Sequence, residues 1–182
     1  MITLIKDDTE KSNIQNSFFN VFKSYCPFEP VGQLYFPVRV VIFPTDSYHL
    51  TFEQFNAMVK AAARFNEKEF IISEVEIPAP FKKGSHWLCT EPSFGDYTNL
   101  DTMIENAIYS INGKWGILLS HELHGLLVCD IPFWNIFCKE YPNCKQDMNE
   151  FLDYWKSVEI EGAKTNWLPA FLKHLSFPEY TS

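Results

Sequence analysis

The chain has 182 residues, of which 46% are apolar and 16% aromatic, a composition that suits one globular domain over residues 1–182 and excludes a disordered chain. Its 23 acidic side chains outnumber the 15 basic ones and leave a net charge of −8, which disfavours nucleic acid and favours a basic partner. No apolar run reaches the roughly 18 residues of a membrane span, and MITLIKDDTEKSN lacks the apolar core of a signal peptide.

The first helix is predicted over Ile14 to Tyr25, with Phe18, Val21, Phe22 and Tyr25 on one face and Pro27 and Pro30 beyond its end. Val38 to Phe43 is a β-branched run and reads as a strand. Thr51-Phe52-Glu53-Gln54 is a capping box. The helix it opens carries Phe55, Met58, Val59, Ala62 and Phe65 at helical spacing. Phe70 to Ile77 alternates as a second strand. Residues 78–97 hold three prolines and two glycines and read as a long loop, of the kind that often carries function.

Leu100 to Tyr109 is predicted as a short helix, followed by a turn at Asn112-Gly113. Lys114 to Ser120 and Leu126 to Asp130 read as two strands joined by a hairpin loop from His121 to Gly125. Pro132 suits the start of a helix. Met148, Phe151, Leu152 and Trp155 form an amphipathic stripe, and Leu168 to Leu175 closes the chain as a last helix. The sum is an α+β domain, with a small, mostly antiparallel or mixed sheet flanked by helices and a helical C-terminal third.

Four features bear on chemistry. The string His121-Glu122-Leu123-His124 has HExH spacing, one residue short of the zinc metalloprotease motif. In a strand its two histidines point to opposite sides. In a loop they could meet, with Glu122 or Cys129 as a third ligand, so a metal-dependent enzyme is the alternative to a solvated hairpin tip. Cys89 lies close to His86 in sequence, as a Cys/His catalytic pair would need. Lys82-Lys83 before Gly84 is a weak phosphate signal, and GxGxxG, Walker and GxSxG motifs are absent. Finally, with the stripe of Met148 to Trp155 facing the core, Asp147, Glu150, Asp153 and Tyr154 are expected on the outer face, where carboxylates could accept a partner's Lys or Arg.

Charge and cysteine usage add context. Residues 1–91 carry a net −2 and residues 92–182 a net −6. The five cysteines include no CxxC pair, which points to free thiols in a reducing compartment and a cytoplasmic protein.

The stretch Asn112 to Gly125, NGKWGILLSHELHG, resembles a segment of small bacterial immunity proteins. So does Leu100 to Tyr109 before it, with Glu105-Asn106-Ala107-Ile108-Tyr109. These are the antidotes encoded beside polymorphic toxins, including those of contact-dependent growth inhibition systems. The resemblance implies a small, cytoplasmic, non-catalytic protein without a cofactor or metal, which occludes a cognate toxin domain. Its fold and binding residues do not carry over. On the residues themselves, contacts are expected first from Asp147, Glu150, Asp153 and Tyr154 and second from His121, Glu122 and His124. A non-catalytic adaptor module is a further alternative.

Overall fold

The computed structural model describes residues 1–100, 102, 104–160 and 165–176. Its centre is one antiparallel sheet of seven strands: β1 (Ile2–Leu4), β2 (Val38–Ile42), β3 (Glu69–Glu74), β4 (His86–Thr90), β5 (Asn106–Ser110), β6 (Gly116–Leu119) and β7 (Gly125–Cys129). Their order across the sheet is β1-β4-β3-β5-β6-β7-β2. Alternation divides each strand between two cores. Val40, Ile72, Ile108, Ile117 and Leu127 face one side; Val41, Ile71, Tyr109, Leu118 and Leu126 face the other. Strands buried on both faces read as continuous apolar runs, and β5, β6 and β7 are buried throughout.

Helices cover both faces. On one lie α2 (Phe52–Arg64), α4 (Phe94–Thr98) and α5 (Ile131–Glu140); on the other lie α1 (Asp8–Val21), α3 (Pro80–Lys83), α6 (Asp147–Ile160) and α7 (Leu168–His174). The starts of four helices follow from caps. Thr51 and Gln54 close the expected capping box, and Ser93 with Asp96 forms a second one. Asp130 accepts from the Phe133 N–H at 2.8 Å to start α5. Asp7 accepts from the Thr9 and Glu10 N–H groups, so α1 begins and ends earlier than its apolar spacing suggested.

The α+β class, the antiparallel sheet and the helical C-terminal part are as expected, although the sheet is larger. Three local expectations fail. The helix expected over Leu100 to Tyr109 fails in its second half, where Asn106 to Tyr109 belong to β5, paired with β3 on one side and β6 on the other; Asp101 and Met103 lie outside the described residues. Ala107, Ile108 and Tyr109 are fully buried, and in so short an apolar run burial on both sides outweighs any helical spacing. Residues 78–97 are not one loop; they hold α3, β4 and α4. The β1 strand was missed because three residues are too few to show alternation. The third failure is the expectation of free thiols throughout: Cys138 and Cys144 are joined in a disulfide, while Cys26, Cys89 and Cys129 are free. The tight turn after α5, at Pro142–Lys145, folds the chain back and brings that pair together. Among the described residues, no helix is long and apolar enough to cross a membrane.

Candidate functional site

The β6–β7 hairpin tip, Ser120 to His124, is built by its own polar groups. The Ser120 N–H donates to the His124 carbonyl at 2.9 Å, and the Glu122 N–H donates to Ser120 Oγ at 3.0 Å. Leu123 takes a left-handed conformation with φ 60°. Its carbonyl accepts from the Thr45 N–H at 2.8 Å, which ties the tip to the segment after β2.

His121 and His124 then part company. His121 stands at the surface, 43% exposed, with Nδ1 2.9 Å from Glu105 Oε1 and Nε2 3.4 Å from Glu122 Oε1. Glu105 is buried at the start of β5. Burial raises its pKa, the hydrogen bond from His121 opposes that, and nearby Glu76 adds to the rise. The Glu105 backbone N–H donates to Glu76 Oε2 at 3.3 Å. His121 therefore carries an oriented imidazole between one buried and one surface carboxylate, a geometry that fixes the ring.

His124 points inward and has no exposed surface. Its ring lies parallel to Trp167, with centroids 5.9 Å apart, and meets the edges or faces of Phe28, Phe151 and Phe171. Nδ1 and Nε2 face the carbonyls of Glu122 and Pro27 at 3.3 and 3.4 Å. Burial outweighs both carbonyls and pushes the imidazole down to about 4. The expectation of His124 as a surface contact is overturned, and so is the convergence that a metal reading needs. Cys129 lies at the far end of β7 and is buried. Among the described residues, no group of three or more His, Cys, Asp or Glu side chains is placed to hold a metal ion.

The α6 face also needs correction. Asp147 is not on the outer side but 1% exposed. Its spacing of i, i+4, i+7 and i+8 to Phe151, Tyr154 and Trp155 puts it on their stripe. Oδ2 accepts from the Phe43 N–H at 2.8 Å and Oδ1 from the Tyr141 hydroxyl at 3.1 Å. Burial raises its carboxyl to about 7 despite those two donors. Tyr154 is half-buried against the rings of Phe43 and Trp155. Glu150 and Asp153 remain exposed as expected, and Asp153 pairs with Lys156 one turn on at 3.1 Å.

The other candidates are placed as structure. His86 stacks on Phe81, and its Nδ1 lies 2.8 Å from Ser73 Oγ. Cys89 packs in the opposite core, where burial pushes its thiol up to about 12, so the two are no catalytic pair. Lys82 and Lys83 close the last turn of α3, with Gly84 as its cap. At the opposite end of the sheet from the tip, Glu67, Lys68, Phe70 and Glu91 help to line a cavity of about 290 Å³. The Glu67 carboxylate there is used structurally, accepting from Ser110, Asn112 and Trp115.

Sequence reasoning missed Glu105 and Glu76, since one lay in an assumed helix and the other seemed a solvent-facing strand residue. A lone carboxylate opening the apolar run Ala107-Ile108-Tyr109 was the available signal. No protein-family model, no curated protein and no solved structure matches the chain.

Proposed function

We propose that the protein is an immunity protein that neutralises a cognate bacterial toxin domain by binding and occluding it. The observation that carries this reading is the braced hairpin tip. Hydrogen bonds hold it from inside, His124 anchors it in the aromatic cluster, and it displays His121, Glu122 and a 36% exposed Leu123 to the outside. Such a tip presents an imidazole, a carboxylate and an apolar side chain with little ordering left to do on binding. Glu150 and Asp153 on α6 and the net charge of −8 add an acidic surface that attracts a basic toxin and speeds encounter. The resemblance of residues 112–125 to immunity proteins points the same way.

The contact set consists of His121, Glu122, Glu150 and Asp153; Asp147, Tyr154 and His124 support it from within. Replacing those four surface residues with Ala should abolish protection when the protein is co-expressed with the toxic domain encoded directly upstream, while the variant stays folded and still unfolds cooperatively. Full protection by the folded variant would remove both surfaces from the account.

A further inference from the structure

The two edges of the sheet are treated differently. At the β2 edge, Arg39 exchanges both backbone hydrogen bonds with Ser176, at 3.0 and 2.9 Å, and beyond Val41 the outward N–H of Phe43 donates to Asp147. Among the described residues, none pairs with the outer side of β1. Thr3 is opposite Leu88 in the ladder. The Met1 carbonyl accepts from Thr90 and the Ile5 N–H donates to His86. Antiparallel pairing alternates, so residues 1, 3 and 5 bond inward to β4, while the N–H and C=O groups of Ile2 and Leu4 point out of the sheet. Leu4 is 45% exposed and Met1 76%, and the chain runs on through Ile5 and Lys6 into the exposed Asp7, Asp8 and Glu10.

We propose that the open edge of β1 is where an extended segment of a basic protein partner adds as an eighth strand, bonding to the backbone of Ile2 and Leu4. Unpaired edge groups form a ready template for strand addition. The carboxylates of Asp7, Asp8 and Glu10 lie just past the strand and select a cationic segment. A second copy of this chain is the weaker occupant, because it would bring two charges of −8 and two such acidic clusters together. The inference rests on the reading of the chain as a toxin-binding protein and gives that partner a second point of attachment, away from the hairpin tip.

Proline separates the edge from the side chain. Leu4→Pro deletes an outward N–H and no bond within the sheet, a placement that edge strands tolerate; Leu4→Ala keeps the N–H and removes the same apolar group. With the upstream-encoded domain as probe, Leu4→Pro should bind at least about tenfold more weakly than Leu4→Ala, the effect of about one lost hydrogen bond. In the wild type, the Ile2 and Leu4 amides should become protected from hydrogen exchange in the complex. Wild-type binding with equal affinities for the two variants and no added protection would overturn the edge proposal and leave the toxin-binding reading standing. No binding by the wild type would end both. Self-association of the free protein that Leu4→Pro disperses would give the edge to a second copy and also overturn the proposal.

Discussion

His124 and Asp147 show how two buried titratable groups act in opposite directions. The native His124 ring stays neutral down to about 4, whereas the unfolded one takes up a proton near 6.5. Its contribution is therefore lost as pH falls through that window. Between pH 7 and pH 5 the loss is about 2 kcal/mol. His124→Phe keeps a ring in the cluster and removes the titration, so its urea midpoint should fall less than the wild type's over that range; parallel profiles would contradict the assignment. Asp147 has the reverse sign. Its carboxyl is raised to about 7, so its contribution is present below about 4 and lost as pH rises through 7. Asp147→Ala leaves the Phe43 N–H and the Tyr141 hydroxyl without an acceptor. Chemical denaturation at pH 4, where that contribution is present, should show a cost of about 3 kcal/mol, and a cost below about 1 kcal/mol would mean that water or another group replaces the carboxylate.

At the scale of elements, the hairpin and the helix opened at Thr51 were legible because their signals are local. Asn112-Gly113 turns the chain with φ 64° at Gly113, and the Thr51–Gln54 box states its own helix start. β5 was not legible: Asn106 to Ser110 is too short for periodicity to separate a buried strand from a helix, and only pairing on both sides decides it. The inward turn of Asp147 was in principle readable from its spacing to Phe151, but a carboxylate is rarely buried without partners, and its partners come from distant Phe43 and from Tyr141 beyond the helix start. The candidate site was legible at the tip and illegible beneath it. His121 and Glu122 could be named from the sequence, while Glu105 and the aromatic box around His124 come together only through the tertiary fold.

For the whole molecule, helices cover both faces of the sheet, and the proposed partner would meet the hairpin tip, the outer side of α6 and the β1 edge. The hairpin tip lies at one end of the sheet, and the acidic balance is strongest in residues 92–182. Charge attraction of that kind raises the association rate and is screened by salt. The most direct test of the account is a calorimetric titration of the purified protein with the domain encoded directly upstream, at low and at moderate ionic strength. The account predicts tight, stoichiometric binding in the nanomolar range, weakened by salt and lost when His121, Glu122, Glu150 and Asp153 are replaced by Ala. Absence of binding by the folded wild-type protein at either ionic strength would contradict it.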